Sequence, residues 1–297
     1  MDEYIPVLES AFRDLAKPTN PTQPDVSDIV LSHWHHDHVG GLPSVLSLLR
    51  RRWDERRTGL PYQPPRLHMF PLARDRVPIS HSGIHALPSI TASLSRDLFT
   101  PAPNGSIFND LQDGQYLSVP SIAPLHVLHT PGHTTDSVSI YLPSDRALYT
   151  SDSVLGQGTA VFEDLSAYMS SLRKMVEYVK AHEQDQPTLP ISLYPGHGPI
   201  INRGVDTLNT YIQHRLERES QIISILQSIP PTTVDSAPGE WTTWMIVKII
   251  YATYPETLWL PAARGIDLHL RKLEVDGVVT KLGGDGKDTR WRLANNP

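Results

Sequence analysis

The sequence has no cysteine among its 297 residues. Disulfide bonds, thiolate metal ligands and cysteine nucleophiles are therefore excluded. A metal site in this chain is left with imidazole and carboxylate ligands. A chain without disulfides fits the reducing conditions of the cytoplasm, and we expect this protein to be cytoplasmic.

Long apolar runs and positive charge are also scarce. No stretch of about 18 apolar residues occurs, so no membrane span or membrane partner is expected. The first ten residues, MDEYIPVLES, are acidic and lack the basic-then-apolar order of a signal peptide. Because 26 basic residues stand against 32 acidic ones, the net charge is −6. Nucleic acids bind positive faces, so no nucleic acid partner is expected either.

The composition is that of a globular protein, with 39% hydrophobic and 20% charged residues. Predicted strands alternate with helices, and four of the strands run into a histidine or an aspartate. Those strands cover residues 26–31, 125–129, 147–150 and 191–194, and a strand at 137–142 pairs with the third as a hairpin. Helices are predicted at 42–52 and 165–182, and the Pro-rich residues 58–124 should hold short strands and loops.

The order of predicted helices and strands changes after about residue 202. Helices are predicted at 208–228, 241–254 and 261–273, and residues 278–281 and 290–293 flank a Gly-rich turn. Three helices followed by a hairpin are typical of a winged-helix module. We therefore predict an α/β catalytic domain over residues 1–204 and a winged-helix-like domain over residues 205–297.

The strongest motif is the run His33-Trp34-His35-His36-Asp37-His38, which has the form H-x-H-x-D-H. Imidazole and carboxylate groups are the usual ligands of zinc and its first-row neighbours. Residues two apart at a strand end can point to the same side, so His33 and His35 can share one metal. Asp37 and His38 lie on the next turn and can reach a second one.

Three further positions extend this pattern. His133 follows a strand in the run Thr130-Pro131-Gly132-His133, Asp152 follows another, and His197 lies between two glycines after a fourth. Each position alone is a weak signal, because a lone histidine after a glycine is usually a turn residue. Together they supply about as many ligands as two metals with a shared carboxylate need.

This order of motifs resembles the metallo-β-lactamase superfamily, which has an αββα sandwich fold. The resemblance implies that His33, His35 and His133 bind one metal and that Asp37, His38 and His197 bind the other. Asp152 would bridge the two divalent ions, which we expect to be Zn²⁺, with Mn²⁺ as the alternative. The same resemblance gives Asp37 a catalytic role, in orienting hydroxide and passing a proton to the leaving group.

The flanking sequence is similar to a narrower group, the fungal lactamase-like thioesterases that release products from non-reducing polyketide synthases. The matching stretches include VSDIVLSHWHHDHVGG at 26–41, TSDSVLGQGTAVFEDL at 150–165, YIQHRLERE at 211–219 and residues 241–273. This resemblance implies hydrolysis of a polyketide thioester, with the acyl carrier protein domain of the synthase as partner. No G-x-S-x-G motif occurs, so a serine nucleophile is not expected.

One departure from that group concerns the first strands of the fold. Relatives begin with a hairpin carrying an N-T-Y motif and a strand ending in D-T-G, and neither motif is present here. The fold is therefore expected to lack its first strands and to expose a sheet edge. The alternatives that stay open are a glyoxalase-II-like thioesterase, an endoribonuclease and a non-catalytic truncated relative. The sequence gives no oligomeric state.

A basic cluster near the end of the helix at 42–52 has two interpretations. Its members are Arg50, Arg51, Arg52, Arg56 and Arg57. They could dock an acidic carrier protein, or they could form a solvated helix end whose charge suits the helix dipole. The second interpretation is favoured.

Overall fold

The computed structural model describes residues 4–14, 22–72, 86–119, 123–183, 189–230 and 239–294. Within these residues the chain forms two sheets with helices on their outer faces, followed by a smaller module. Among the helices described, none is both long and apolar enough to cross a bilayer.

The first sheet comes from the first third of the chain and is entirely parallel. Its strands pair in the order β1-β2-β3, so β1 and β3 are its edges. Helices α3 and α4 cover its outer face through a cluster that includes Leu46, Leu67 and Leu87. The elements are α1 (Tyr4–Asp14), β1 (Asp28–Leu31), α2 (His36–Val39), α3 (Leu42–Glu55), β2 (Arg66–Met69), α4 (Ala86–Ser93) and β3 (Phe108–Asp110).

The second sheet has five strands in sequence order, β4-β5-β6-β7-β8. Its pairings are antiparallel except the last, because α5 crosses over between β7 and β8 and makes that pair parallel. The elements are β4 (Tyr116–Leu117), β5 (Leu125–His129), β6 (Val138–Leu142), β7 (Ala147–Ser151), α5 (Leu165–Glu183) and β8 (Ser192–Pro195).

Apolar side chains join these layers into an αββα sandwich, as the resemblance to the metallo-β-lactamase superfamily implies. Val30 of β1 packs with Val127 of β5 and Val138 of β6 between the two sheets. On the outer face of the second sheet, α5 buries Leu172, Met175, Val176 and Val179, which are the residues predicted for its core side. Burial of each such side chain away from water stabilises the fold by about 1.5–3 kcal/mol.

The remaining elements form the winged-helix module. Strands β10, β11 and β9 make a small antiparallel sheet beside three helices. Trp241 and Trp291, both buried, lie in its core. The elements are α6 (Gly204–Leu226), β9 (Trp241–Thr242), α7 (Thr243–Ile250), α8 (Trp259–Val275), β10 (Val279–Gly283) and β11 (Arg290–Leu293).

Helix α6 belongs to both cores. Leu208 and Tyr211, in its first half, pack in the core of the five-stranded sheet, whereas Ile222 and Leu226, near its end, pack in the core of the winged-helix module. The change of core therefore falls partway along one continuous helix. The domain boundary between residues 204 and 205 stays a prediction, and it coincides with the start of this shared helix.

The helix predicted at 241–254 was wrong at both ends. Residues 241 and 242 form β9, which pairs with β11, and the helix runs only from Thr243 to Ile250. The side chain of Thr242 accepts a hydrogen bond from the Met245 amide at 3.1 Å. A threonine N-cap of this kind satisfies a free amide and fixes the start of the helix.

Candidate metal centre

Loops that follow four strands converge at one edge of the sandwich. His33 follows β1, His35 precedes α2, and Asp37 and His38 lie on α2. The other three predicted site residues follow β5, β7 and β8 and are His133, Asp152 and His197. All seven are brought together there, in two groups. Within each group, the candidate ligand atoms lie within 4.8 Å of one another.

The first group consists of three imidazoles, those of His33, His35 and His133. Nε2 of His33 lies 3.1 Å from Nδ1 of His35 and 3.2 Å from Nε2 of His133. Nδ1 of His35 and Nε2 of His133 are 2.9 Å apart. Three nitrogens bound to one tetrahedral zinc ion are separated by about 3.3 Å. The three rings therefore converge on a common point at close to this spacing.

The second group combines Asp37, His38, Asp152 and His197. Nε2 of His38 lies 3.3 Å from Nε2 of His197, and the latter lies 3.1 Å from Oδ2 of Asp37. This group is the more accessible one, since the side chains of Asp37 and His197 are 57% and 51% exposed. Two imidazoles and two carboxylates at these distances form a mixed nitrogen and oxygen donor set, which suits a divalent first-row metal.

Asp152 contacts both groups. Its Oδ1 lies 3.2 Å from Nε2 of His38, and its Oδ2 lies 3.4 Å from Nε2 of His197 and 3.7 Å from Nε2 of His133. Oδ1 is buried and makes no hydrogen bond within the described part of the chain. A buried carboxylate oxygen without a donor is costly, and a cation at this point would satisfy it.

The backbone before Asp152 is strained. Ser151 is a non-glycine residue with φ of 49°, and the register between β7 and β8 shifts beside it. Such a conformation typically costs about 1–3 kcal/mol and persists where neighbouring structure enforces it. The resulting bend takes Asp152 out of the strand and directs its carboxylate between the two groups.

In the first group, the outer nitrogens of His33 and His133 have their own partners. Nδ1 of His133 donates a hydrogen bond to the carbonyl of Val161 at 2.8 Å, which leaves a lone pair on Nε2. Nδ1 of His33 lies 3.2 Å from Oγ of Ser151 and 3.3 Å from Oγ of Ser32. Partners of this kind orient a metal-binding histidine and select its tautomer.

Burial keeps these imidazoles neutral. It is the main reason that the pKa of His33, His35 and His133 lies below the usual value, and for His35 the pKa falls to about 4. For Asp152, burial raises the pKa, but the contact with His38 and the other nearby imidazoles outweigh burial and hold the pKa low. Neutral imidazoles and an ionised carboxylate are the forms that bind metals.

Gly196 leaves the space in which the Asp152 carboxylate lies. A Cβ atom at this position would come within 2.4 Å of Oδ1 of Asp152 and 3.0 Å of Cε1 of His38. Any side chain here would displace a donor atom. The donor types, the buried unpartnered oxygen and this space together fit two divalent metal ions.

Some parts of the centre have no clear sequence signature. The hydroxyls of Ser32 and Ser151 both contact Nδ1 of His33, and no motif in the sequence marks this role. The Val161 carbonyl was missed, because a main-chain atom leaves no signature in the residue type. Asp136, which belongs to neither donor group, was also missed: it is fully buried, accepts a hydrogen bond from Oγ1 of Thr134 at 2.7 Å, and burial raises its pKa to about 7.

Four of the five arginines in the basic cluster at the end of α3 form ion pairs within the chain. Arg50 pairs with Asp54 at 2.8 Å, Arg52 pairs with Asp25 at 2.9 Å, and Arg51 and Arg56 pair with Glu9 and Asp25. These contacts favour the helix-end interpretation over a docking surface for a partner.

Comparison with known proteins gives the same fold and the same modules. Residues 9–184 match the family described as the metallo-beta-lactamase superfamily, and residues 242–291 match the beta-lactamase associated winged helix domain. A beta-lactamase-like protein 2 homolog from Drosophila melanogaster is 32% identical over 93% of this chain and 77% of its own length. An atrochrysone carboxyl ACP thioesterase from Aspergillus fumigatus is 28% identical over 77% of this chain and 57% of its own.

Among solved structures, a beta-lactamase domain protein from Burkholderia ambifaria has a similar fold. It aligns with a TM-score of 0.62 at 17% sequence identity, over 97% of this chain and 78% of that one. At this level of identity the likeness concerns the fold alone, so the chemistry must be argued from the site.

Proposed function

The chain belongs to the metallo-β-lactamase superfamily, and we propose that it is a dinuclear metal-dependent thioesterase. Its substrate would be a polyketide acyl group held as a thioester on the carrier protein of a polyketide synthase. The observation that carries the proposal is the pair of donor groups that share the Asp152 carboxylate. The choice of substrate is supported by the thioesterase relative and by the matching sequence stretches around the site.

In the proposed centre, His33, His35 and His133 would hold one metal. Asp37, His38 and His197 would hold the other, and Asp152 would be shared by the two. Zn²⁺ suits the three-imidazole group, and Mn²⁺ is accepted by the same donor types. Two bound divalent ions would lower the pKa of a water molecule at the centre to about 7 and would stabilise negative charge on the substrate carbonyl oxygen.

Asp37 is the residue that we propose to act on the reacting atoms. Its carboxylate is exposed at the mouth of the centre, and Oδ2 lies 3.1 Å from Nε2 of His197. From there it can orient the attacking water, accept its proton and return that proton to the leaving thiolate. A thiolate leaves readily, so little acid assistance is needed.

The serines beside the site do not suit a role as nucleophile. Ser32 and Ser151 are buried, and their hydroxyls are directed at each other and at Nδ1 of His33. A serine nucleophile needs an exposed hydroxyl beside a base with a free nitrogen. Attack by water is therefore the mechanism that the geometry supports best.

The proposal is tested by measuring kcat/KM on three substrates: an acyl thioester of a polyketide-synthase carrier protein, a glutathione thioester and single-stranded RNA. We expect hydrolysis of the carrier-protein thioester, and a loss of about 100-fold or more in Asp37→Ala, as is typical for removal of a proton-transfer group. Asp206→Ala is the matched control, because Asp206 is also 57% exposed and lies in the first turn of another helix.

Two results would contradict this assignment. Turnover of the glutathione thioester or of RNA, with the carrier-protein thioester left intact, would move the protein to one of those substrates. An equal loss of activity in Asp206→Ala would remove Asp37 from the reaction.

A further inference from the structure

A cavity lies beside the metal centre, between the catalytic core and the winged-helix module. It encloses about 460 Å³ and is lined by the loop at residues 159–162 and by helices α6 and α8. The loop is shared with the metal centre, because the Val161 carbonyl accepts the hydrogen bond from Nδ1 of His133. The Val161 side chain itself is 70% exposed and forms part of the cavity wall. The cavity and the first histidine group thus lie on two sides of one short loop.

Three arginines line this cavity: Arg215, Arg218 and Arg264. Among the described residues that line the cavity, only Glu217 carries a carboxylate. In the described residues, none of the three arginines forms an ion pair, whereas arginines elsewhere in the chain, such as Arg66 with Asp28, do. The cavity therefore carries excess positive charge, which the Glu217 carboxylate offsets only in part.

Two of these guanidinium groups also have donors without acceptors. Nε of Arg215 and Nη1 of Arg218 are buried and make no hydrogen bond to any described residue. A buried donor left in this state costs about 1–3 kcal/mol, and more when it is charged. An anion in the cavity would recover that free energy, so these two atoms indicate a ligand.

Two of the arginines, Arg215 and Arg218, are held in place by contacts within the chain. Nη2 of Arg215 donates hydrogen bonds to Oγ1 of Thr159 at 2.8 Å and to the Ala160 carbonyl at 3.0 Å. The guanidinium of Arg218 lies 5.0 Å from the ring centre of Tyr251. Guanidinium groups that are fixed in this way lose little entropy on binding and suit the planar, two-point recognition of phosphate.

We propose that this cavity binds a phosphate group on the thiol side of the thioester substrate. The proposal rests on the thioesterase function above, and it adds the part of the substrate that is recognised away from the reacting carbon. A ligand that passes over Val161 can place a phosphate among the arginines and its thioester at the histidines. Both coenzyme A and the phosphopantetheine arm of a carrier protein carry such a phosphate.

The first test is equilibrium binding of coenzyme A to the metal-loaded protein, measured by calorimetry. Arg218→Gln and Arg264→Gln should each raise the Kd about tenfold or more, because each removes a charge-assisted hydrogen bond to phosphate. Arg264 is exposed, so its replacement does not disturb the core. The matched control is Arg292→Gln, which removes an equally charged, exposed side chain from β11, outside the cavity. Unchanged Kd values in both cavity variants would overturn the proposal.

A second test compares two thioesters of the same acyl group. With the coenzyme A thioester, the cavity variants should raise KM about tenfold and leave kcat nearly unchanged. With the N-acetylcysteamine thioester, which has no phosphate, both constants should match those of the unaltered protein. An equal rise in KM for both thioesters would contradict phosphate recognition.

The source of the phosphate is resolved with the carrier protein. If the arm is recognised, a carrier protein that bears phosphopantetheine should bind at least about tenfold more tightly than the same protein without it, and Arg218→Gln should abolish the difference. If only free coenzyme A responds to the substitutions, the cavity still binds phosphate but belongs to a small thioester. Equal binding of the two carrier forms, with no response to coenzyme A, would refute the phosphate site.

These measurements also test the phosphate site and the proposed thioesterase reaction independently of each other. Arginine-dependent binding of coenzyme A without hydrolysis of any thioester would support the phosphate site and contradict the thioesterase assignment. Hydrolysis of the carrier-protein thioester with no response to the arginine substitutions would do the reverse.

Discussion

Asp152→Ala should remove at least one metal ion and the thioesterase activity together. Asp152 is the carboxylate that contacts both donor groups, with Oδ1 3.2 Å from His38 and Oδ2 3.7 Å from His133. Without it, two divalent ions would lie close together with little negative charge between them, and their repulsion would expel at least one. We expect a loss of about 10³-fold or more in kcat/KM, which corresponds to about 4 kcal/mol of transition-state stabilisation.

Metal content and activity should be measured on the same preparations. Asp110→Ala is the control, since Asp110 is also an aspartate at the end of a strand but is exposed and belongs to neither group. Metal content should fall only in Asp152→Ala, and its circular dichroism spectrum should match that of the unaltered protein. A variant that retains both metals and full activity would show that Asp152 does not join the two sites.

Gly132→Ala should destabilise the whole fold. Gly132 has φ of 132°, and a Cβ atom there would lie 2.3 Å from Cα and 2.4 Å from N of Tyr168, both in the backbone of α5. The Gly132 carbonyl also accepts hydrogen bonds from the amides of Glu163 and Asp164, at the start of this helix. Because a helix backbone cannot shift as a flexible side chain can, we expect the free energy of unfolding to fall by about 3–5 kcal/mol.

A second glycine, Gly114, distinguishes the effect of the steric clash from the effect of the positive φ angle. Gly114 also has positive φ, of 77°, but its Cβ would meet no atom within 4 Å. Gly114→Ala should therefore cost only about 1–2 kcal/mol, the penalty of left-handed backbone for a residue with a side chain. Chemical denaturation of both variants makes the comparison, and equal destabilisation would refute the close approach of Gly132 to α5.

The donor groups could be predicted from the sequence because each motif follows a strand. Strand ends at the same edge of a sheet meet in space, so His33, His133, Asp152 and His197 were expected together although they span 165 residues of sequence. The strand at Leu125–His129 was predicted with both of its limits, since its apolar residues end sharply at Thr130-Pro131-Gly132. The pattern of residue types along the chain is therefore enough to predict which residues form the two donor groups.

Features that depend on tertiary structure could not be predicted in this way. Helix α4 was missed in the Pro-rich stretch because its sequence, ALPSITAS, has little separation of apolar and polar faces. The arginine cavity was also missed. Arg215 and Arg218 are one turn apart on α6, but Arg264 comes from α8, and only the packing of these helices brings the three together.

The proposed function depends most directly on the metals, and removing them tests it. Release of an acyl group from a polyketide-synthase carrier protein should be measured before and after chelation, with the metal content of the folded protein determined each time. We expect activity to be lost on chelation and to return as about two divalent ions per chain are added back. Full activity in a folded, metal-free protein would contradict it, and so would complete recovery at one ion per chain.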